Sequence, residues 1–566
     1  MDSTVTAYLG VHEGTVDAAL ERMHTDHIVE RLWAIDWRIW SDDPADIANR
    51  LGWLQSPFNM LSAVPEIEAF VDEVGRAGYT QALLMGMGGS SLAPELYSQT
   101  FGSARGFLRL WVLDSTDPGA VLAYTDALVP AETLFIVSSK SGTTVEPLSF
   151  MNYFYNLAEQ LLGVGQAGEH FVAITDPGSL LAQQAVQYGF RRCFVNDPNI
   201  GGRYSALSYF GLVAAALVGV DLRELLYRAG GMARRCRASC EPVTGDNPGF
   251  WLGAVLGSLT LSGRDKLTLV TSPALGAFGA WLEQLIAEST GKLGKGILPV
   301  DGETPLNLAA YGNDRLFVYL RLDGDANQDE AVGQLIEAGQ PVVQIDLGDV
   351  YDLGREFFRW EVATAVAAHL MGVNPFNQPN VESAKKAARA ATDAYKSTRR
   401  LPELEPSAQD EGLVAYSNMP VGSPEQALAN LLALVRPGDY IALQAYLPPT
   451  RETTAALQRL RLALRDRYRV ATTVGYGPRF LHSTGQLHKG DGNTGVFLQL
   501  TADAARDVPI PDEAGKDASS MTFGVLEAAQ ALGDRQALLD GGRRFLRLHL
   551  KGDVEAGLAR LLKAVQ

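Results

Sequence analysis

Short apolar runs alternate with longer amphipathic segments from about residue 60 onward, and this alternation restricts the possible folds more than any other feature. The first runs lie at residues 81–85, 110–113, 133–137, 171–175 and 193–195. Each run except the last is followed within a few residues by Gly, Ser or Asp, and then by a helical stretch. Nearly continuous apolar strands that are separated by helices are typical of a doubly wound parallel sheet.

The same alternation begins again near residue 265 and predicts a second α/β unit. Its strand-like runs lie at 266–271, 316–322 and 341–347, and its helical segments lie at 277–290, 328–339 and 355–371. Before the first unit, apolar residues recur at helical spacing between positions 15 and 35, which indicates a helical N-terminal arm.

The C-terminal part of the chain differs again. A Pro- and acid-rich stretch at 401–412 precedes strand-like runs at 440–446 and 495–500 and an amphipathic helix at 453–468. We expect a smaller α+β module there. The predicted division is an arm at 1–57, two doubly wound α/β domains at 58–222 and 223–400, and the C-terminal module at 401–566.

Composition excludes several classes of protein. A chain of 566 residues is too long for one core, and its net charge of −17 argues against a general nucleic-acid binder. The longest apolar stretch, residues 210–220, is too short to span a bilayer, and the N-terminus lacks a secretory leader pattern. Three cysteines fit a reducing compartment. We therefore expect a cytoplasmic protein without a nucleic-acid or membrane partner.

The stretch SSKSGTTVE at 138–146 follows an apolar strand and precedes a helical segment. It offers the hydroxyl groups of Ser139, Ser141, Thr143 and Thr144, and Gly142 allows a tight turn. The free N–H groups of a helix N-terminus favour an anion. The alternative is simple N-capping, which needs one such residue rather than several.

The stretch GMGGSS at 86–91 also follows a strand. Both loops are therefore expected at the carboxyl edge of one sheet, where ligands of doubly wound sheets bind. Taken alone, GMGGSS could be only a tight turn between a strand and a helix.

Three further motifs each carry a charged side chain that is a candidate for the site. In NIGGRYSALS, glycines beside Arg203 let the backbone and the guanidinium approach one small oxyanion. In WLEQLIAESTGK, Gln284 and Glu288 share one helix face, as a positioning amide and a general base would. Lys385 follows in a helix that begins near NQPNVESAKK. Each has a structural alternative: a surface Arg, a solvated Glu and an ordinary helical Lys.

In this order and with these identities, the motifs resemble those of the glucose-6-phosphate isomerase family, a member of the sugar isomerase (SIS) fold group. The resemblance implies that both α/β domains are SIS-type domains. The resemblance covers about residues 60–390. Within the family, the chain looks most similar to the isomerase module that some bacteria fuse behind a transaldolase. No transaldolase module is present in the sequence. The resemblance implies a hexose-phosphate isomerase of glycolysis and gluconeogenesis that needs no redox cofactor and no metal.

The resemblance also implies a role for each matching residue. The phosphate group would be held by Ser139, Lys140, Ser141 and Thr144, with Gly89 and Ser90 on the neighbouring turn. Glu288 would be the base that moves a proton between C2 and C1, and Arg203 would stabilise the enediolate. Gln284 would position the substrate, and Lys385 would assist ring opening.

The sequence departs from the family pattern at three places. Thr290 stands where the family has Asn, and Asn377 stands where it has Asp. The family's active-site histidine lies between the Glu and Lys motifs, where this chain has only His369 in an apolar helical context. GQLH at 485–488 resembles the family segment, so His488 is expected in this role, with His482 as the alternative. Because the family takes this histidine from a neighbouring subunit, the resemblance implies a homodimer.

Two other functions are compatible with parts of the sequence. One is a different sugar-phosphate isomerase on the same framework, for example one acting on mannose 6-phosphate. The other is a non-catalytic sensor of sugar phosphates. A sensor would need the phosphate loop but would have no use for Arg203, Gln284, Glu288 and Lys385 together.

Overall fold

Three main sheets organise the protein, and an N-terminal segment adds an edge strand to the second of them. The structure is a computed structural model that describes residues 4–242 and 246–566. The N-terminal segment contains strand β1 and two helices: β1 Thr4–Tyr8, α1 Glu13–Thr25 and α2 Ile28–Trp33. β1 pairs antiparallel with a strand of the second sheet, Thr4 lying opposite Asp346. The expected helical arm therefore also contributes an edge strand.

The first sheet has five parallel strands. Its elements are α3 Ser56–Arg76, β2 Gln81–Gly86, α4 Leu92–Phe101, β3 Arg109–Leu113, α5 Pro118–Ala127, β4 Thr133–Ser138, α6 Val145–Leu162, β5 Phe171–Thr175, α7 Leu180–Gln187, β6 Arg192–Val195 and α8 Tyr209–Leu217. The strand order is β3-β2-β4-β5-β6, so the order reverses between β2 and β4. Every residue of β4 is buried, as expected for a strand with helices on both faces.

The second sheet repeats this winding. Its elements are α9 Leu222–Arg235, α10 Pro248–Leu261, β7 Lys266–Thr271, α11 Phe278–Thr290, β8 Leu298–Val300, β9 Arg315–Leu322, α12 Asp329–Glu337, β10 Val342–Leu347, α13 Leu353–Met371 and α14 Val381–Thr398. The strand order is β8-β7-β9-β10, with β1 added antiparallel at the edge. The prediction of two doubly wound parallel sheets is confirmed.

The C-terminal part is a third unit of this kind. Its elements are β11 Ala408–Gln409, β12 Leu413–Tyr416, α15 Pro424–Leu432, β13 Tyr440–Tyr446, α16 Arg451–Tyr468, β14 Ala471–Tyr476, α17 Gly485–Gly490, β15 Gly495–Ala502, β16 Pro509–Ile510, β17 Met521–Thr522, α18 Phe523–Asp540, β18 Arg544–Leu550 and α19 Val554–Val565. The sheet has the order β14-β13-β15-β18-β12-β11. The strands β14, β13, β15 and β18 are parallel, whereas β12 pairs antiparallel with β18 and β11 pairs antiparallel with β12. The expected α+β module is thus corrected to an α/β unit with a mixed sheet, because β14 and β18 join the two strands visible in the sequence and all four run parallel.

The first two sheets share a large buried core. The α13 residue Phe357 packs edge-on against Trp281 of α11, with ring centroids 4.8 Å apart, and also contacts Tyr97 of α4. Trp53 stacks on Tyr204 at 5.0 Å. Burying each such aromatic side chain contributes about 1.5–3 kcal/mol relative to exposure. This packing holds the carboxyl edge of the first sheet against α11.

α14 links the second sheet to the third and packs along α18. The contact is close, since a Cβ at Gly533 of α18 would lie 2.6 Å from the carbonyl oxygen of Ala384. In residues 4–242 and 246–566, no helix has the length and apolar character needed to cross a membrane. The domain limits at residues 57, 222 and 400 stay predictions.

Candidate active site

Two loops meet where the strand order of the first sheet reverses. β2 and β4 are neighbours, with Gly86 opposite Ser138, so the segments 86–91 and 138–144 leave the sheet side by side. Ligands of doubly wound sheets bind at this position, in the crevice outside the carboxyl ends of the strands.

The loop 138–144 has the arrangement of an anion-binding site. It runs into α6, whose N-cap residue Thr144 makes no side-chain capping bond, so the first N–H groups of the helix are free of a capping side chain. The Ser139 hydroxyl donates to Thr144 Oγ1 at 3.3 Å, and the hydroxyls of Ser141 and Thr143 are 3.1 Å apart. These hydroxyl groups and the N-terminus of α6 can bind a phosphate group together.

Gly142 and Lys140 adapt this loop to its surroundings. Gly142 has a φ of 66°, and a Cβ there would lie 2.7 Å from the amide nitrogen of Leu181. The Lys140 ammonium group is paired with Asp176 and donates to the carbonyl of Pro198 at 3.1 Å. Burial raises the pKa of Asp176, although Lys140 acts in the opposite direction. Lys140 therefore has a carboxylate partner in this structure.

The loop 86–91 packs closely on the segment that carries Arg203. A Cβ at Gly89 would lie 1.9 Å from the carbonyl oxygen of Gly202. Gly88 has a φ of 54°, and a Cβ there would lie 2.6 Å from Gln284 Nε2. Ser90 is buried beside these glycines. The absence of side chains at positions 88 and 89 is what lets the two loops and α11 approach one another.

Arg203, Gln284 and Glu288 form one buried cluster. Arg203 Nε lies 3.2 Å from Glu288 Oε2, and the same oxygen accepts a hydrogen bond of 3.1 Å from Gln284 Nε2. All three residues are less than a tenth exposed. Gln284 and Glu288 come from successive turns of α11, and Arg203 comes from the loop before α8, so the structure brings together what the sequence separates.

The segment 374–378 closes one side of this cluster. The Arg203 guanidinium donates to the carbonyls of Pro375 at 3.0 Å and Asn377 at 3.4 Å, and it also binds Gln378 Oε1. Because the contact uses the main-chain carbonyl of Asn377, replacing the family's Asp by Asn leaves it in place. Lys292 donates to the carbonyl of Asn374. Burial, reinforced by the charge of Arg203, lowers the pKa of Lys292 well below its usual value.

Thr290, the other departure from the family pattern, has a structural role. Its hydroxyl donates to the carbonyl of Ile286 at 2.8 Å and accepts from the amide of Ile297 at 3.0 Å. It is fully buried and ties the end of α11 to the segment before β8. Thr290 therefore stabilises the end of the helix that carries Glu288, through its bonds to Ile286 and Ile297.

Of the two candidate histidines, the structure places His482 near the cluster. His482 Nε2 lies 3.1 Å from Glu146 Oε1, and its carbonyl oxygen accepts a 2.9 Å hydrogen bond from Gln284 Nε2. Glu146 also accepts from Gln530 Nε2 at 2.7 Å. Burial acts to raise the pKa of Glu146, but the charge and hydrogen bond of His482, with a smaller effect of Lys385, bring this pKa below its usual value.

His488 faces the interior of the third unit instead. Its Nδ1 lies 3.3 Å from Gln444 Nε2, and its ring contacts those of Phe480 and Phe497. Burial and the nearby charges of Lys489 and Arg543 lower the pKa of His488 well below its usual value. Within the described residues it has no polar contact with Arg203, Gln284 or Glu288, so the structure does not bring the expected histidine to the site.

Lys385 is likewise outside the cluster. Its ammonium group pairs with Glu382 at 2.9 Å on the surface of α14, and about half of its side chain is exposed. Its electrostatic effect on Glu146 connects it with the site. His369, in α13, contacts the carbonyl of Ile39.

Two residues of the site were not singled out from the sequence. Glu146 lies within the stretch SSKSGTTVE, and its position in the first turn of α6 directs it towards the same edge as Thr144. That position was an available signal. Gln530, in α18, has no sequence signal because its link to Glu146 depends on how the third unit packs. Among the described residues, no group of three or more His, Cys, Asp or Glu side chains is arranged to hold a metal ion.

The fold and this site define a class: an α/β protein whose doubly wound sheet carries a loop suited to a small anion at its switch point, with a buried Arg–Glu pair beside it. A family model for phosphoglucose isomerase matches residues 67–308. A glucose-6-phosphate isomerase of Synechococcus sp. (strain JA-3-3Ab) is 31% identical over 385 residues, which is 58% of this chain and 70% of that protein. One from Citrifermentans bemidjiense is 30% identical over 406 residues, 60% of this chain and 74% of that protein. The chain belongs to the phosphoglucose isomerase family.

A solved structure shares the fold. The crystal structure of a glucose-6-phosphate isomerase from Chlamydia trachomatis superimposes with a TM-score of 0.59 at 18% identity, covering 71% of this chain and 90% of that one. The family model ends before Lys385, His482 and His488. Of the predicted site residues, the match therefore includes Gly89, Ser90, the phosphate loop, Arg203, Gln284 and Glu288.

Proposed function

We propose that this protein is an aldose–ketose isomerase that interconverts glucose 6-phosphate and fructose 6-phosphate through a cis-enediolate. The observation that carries the proposal is the buried contact between Arg203 and Glu288, 3.2 Å long, beside an anion-binding loop. Family membership supports the same reaction, since the relatives are named glucose-6-phosphate isomerases.

The chemistry assigns different tasks to the two partners. Glu288 takes the proton from C2 of the open-chain sugar and returns it to C1, which requires one carboxylate within reach of both carbons. The negative charge that develops on the enediolate oxygens lies against the Arg203 guanidinium, which is already oriented by the carbonyls of Pro375 and Asn377. Gln284 holds the orientation of Glu288 through its 3.1 Å hydrogen bond.

The phosphate group occupies the loop 138–144. Ser139, Ser141 and Thr144 donate through their hydroxyls, and the N-terminus of α6 adds its N–H groups and its dipole. The backbone at Gly89 and Ser90 forms the opposite wall, and Lys140 adds positive charge at the rim. This anchor fixes C6, so that C1 and C2 reach Glu288.

For ring opening we assign the histidine role to His482 rather than His488. His482 contacts Glu146 and lies next to Gln284, whereas His488 is enclosed in the third unit. Glu146 orients the imidazole through its 3.1 Å contact with Nε2. Lys385 is retained as a second ring-opening residue, and its surface side chain would have to turn from Glu382 to reach the sugar.

A coupled assay with fructose 6-phosphate tests the proposal, with mannose 6-phosphate as the competing substrate. Wild-type protein is expected to turn over fructose 6-phosphate, and Glu288→Gln is expected to lower kcat by about 10²- to 10⁴-fold, the usual contribution of a general base. The control is Glu337→Gln, an exposed carboxylate in α12. Full activity of Glu288→Gln would exclude Glu288 as the base, and turnover of mannose 6-phosphate alone would overturn the substrate assignment.

A homodimer in the cytoplasm, acting in glycolysis and gluconeogenesis, completes the proposal. The dimer was expected because the family histidine comes from a neighbouring subunit. Since His482 contacts Glu146 within one chain, the dimer is not needed to supply this residue. Light scattering of the purified protein measures the oligomeric state directly, and a monomer would remove that part of the proposal.

A further inference from the structure

A loop of the third unit reaches across both other sheets at the candidate site. It comprises residues 477–486, between β14 and the first turn of α17, and is called the clamp loop below. Near its start, Arg479 contacts the first unit; in its middle, His482 contacts Gln284 and Glu146. At its end, Gln486 accepts from the amide of Asn380 at 3.0 Å and donates to the carbonyl of Gly291 at 2.9 Å.

Arg479 holds the start of this loop in an ion cluster. Its Nη1 lies 3.1 Å from Asp114 Oδ2, and its Nη2 is paired with Glu95. The side chains are largely withdrawn from solvent, with 25% of Arg479 and 9% of Asp114 exposed. Burial raises the pKa of Asp114, and Arg479 opposes this rise. Two carboxylates therefore lie close together at this place, with one guanidinium to compensate them.

The ion cluster is connected to the loop 86–91. Asp114 Oδ2 accepts a hydrogen bond of 3.0 Å from the Ser91 hydroxyl, directly after the proposed substrate-binding residues Gly89 and Ser90. Arg479 thus joins the clamp loop to the turn that packs against Gly202 and Gln284.

Three residues after Arg479, the clamp loop meets the reacting groups. The His482 carbonyl receives Gln284 Nε2 at 2.9 Å, and the same nitrogen donates to Glu288 at 3.1 Å. A Cβ at Gly88 would lie 3.0 Å from that carbonyl oxygen. A shift of the clamp loop would therefore have two effects together. It would move the His482 imidazole, and it would remove a hydrogen bond that orients Gln284.

We propose that Arg479 is a positioning residue of the isomerase: by binding Glu95 and Asp114 it fixes the clamp loop, and the fixed loop sets His482 and Gln284. The inference rests on the proposed function. Without Arg479 the two carboxylates are left uncompensated and repel each other, so the start of the loop is displaced. Displacements of about 1 Å at a reacting group can cost about 10²-fold in rate.

The test is a double-mutant cycle on kcat and KM for fructose 6-phosphate. R479M is expected to lower kcat about 10- to 100-fold, since a misplaced reacting group costs that much. R479K restores part of the loss, because it keeps the charge. If Arg479 acts through the clamp loop, R479M costs less in the H482A background than in the wild type, because only the effect through Gln284 remains, whereas independent effects would multiply.

The matched control is R544M. Arg544 lies in the same third unit and pairs with Asp439, remote from the clamp loop in sequence and contacts. It is expected to lower the melting temperature without lowering kcat. Equal losses of kcat in R479M and R544M, or multiplicative effects in the R479M/H482A variant, would overturn the inference.

Two measurements keep the outcomes separable. A wild-type protein without isomerase activity would refute the proposed function, whereas an active wild type with an equally active R479M would refute only the role of Arg479. If R479M does not fold, R479M/E95Q/D114N removes the uncompensated charges and serves in the same cycle. A triple variant with wild-type kcat would show that the ion cluster does not position the loop.

Discussion

Arg203 Nε lies 3.2 Å from Glu288 Oε2, while the other guanidinium nitrogens bind the segment 375–378. The guanidinium is therefore fixed by main-chain carbonyls before any substrate arrives. A group that is oriented in advance stabilises developing charge without a reorganisation cost during the reaction.

Replacing Arg203 by Lys tests this preorganisation. Arg203→Lys keeps the positive charge but loses the fork of donors that binds Pro375 and Asn377. We expect kcat/KM to fall about 10²-fold or more, as for the loss of an oxyanion-stabilising donor. Steady-state kinetics measure this, with Arg22→Lys on the exposed face of α1 as the control. A loss no greater than that of the control would show that charge alone suffices.

The two histidines are distinguished by their separate replacement. His482→Ala is expected to slow turnover of the cyclic sugar about 10²-fold, the contribution of a positioned acid or base. His488→Asn removes a buried ring that contacts Phe480 and Phe497, so it should lower the melting temperature and leave kcat unchanged. The opposite pattern would return the catalytic role to His488.

The hydroxyls of the phosphate loop are expected to act mainly on binding. Thr144→Val and Ser141→Ala each remove one donor to a charged group, which should raise KM and the inhibition constant of inorganic phosphate about 10-fold. Because the phosphate is bound equally in the ground and transition states, kcat should change little. Ser62→Ala, an exposed position in α3, is the matched control. A fall in kcat with constant KM would contradict this role for the loop.

Gly89 and Gly75 offer a comparison of one substitution at two sites. In Gly89→Ala the new Cβ meets the Gly202 carbonyl at 1.9 Å, so the two loops must separate and activity should be lost. In Gly75→Ala, within α3, no atom lies within 4 Å of the Cβ. There Ala should stabilise the helix by about 0.5–1 kcal/mol, seen as a raised unfolding midpoint. Wild-type kinetics for Gly89→Ala would mean that the loops can separate freely.

Glu283 makes stability depend on pH. Burial raises the pKa of Glu283 to about 8, and the negative charge of Asp301 acts in the same direction. The folded state therefore binds this proton more tightly than the unfolded state, so the contribution is present below the ordinary carboxyl pKa and is lost as the pH rises towards 8. Relative to wild type, Glu283→Gln should gain melting temperature steadily between pH 5 and 8. The melting temperature of Glu337→Gln should follow that of wild type across this pH range. If the melting temperatures of Glu283→Gln and wild type differ by the same amount at every pH, the raised pKa of Glu283 is refuted.

The first two sheets could be predicted because their strands are buried on both faces and read as unbroken apolar runs, as in β4. The third sheet was misjudged because its strands vary in character. β14 reads ATTVGY and β18 reads RFLRLHL, with polar residues that are buried through contacts outside the strand. Arg547 of β18, for example, donates to Gln499 of the neighbouring strand at 2.6 Å. Such pairs become visible only when the strands are placed together.

The candidate site shows the same limit. Gln284 and Glu288 share a helix face, so their proximity follows from spacing alone, and Arg203 was recognisable beside its glycines. The choice between His482 and His488 was not accessible in this way. They stand six positions apart in the sequence. A 3₁₀ turn followed by the short helix α17 directs one imidazole to Glu146 and the other to Gln444. Lys385 was identified by its motif, but its side chain lies on the surface.

The pairing of β1 with β10 has a consequence for the order in which the chain assembles. Thr4 lies opposite Asp346, and Tyr8 lies opposite Val342, so strand partners are separated by more than half of the polypeptide. On the ribosome, β1 emerges well before β10 and has no partner in this sheet until β10 has been synthesised. Contacts of such long range form late, because closing the intervening loop costs chain entropy before the pairing compensates it. The amino-terminal strand therefore completes its sheet only after the first α/β unit has already had time to fold.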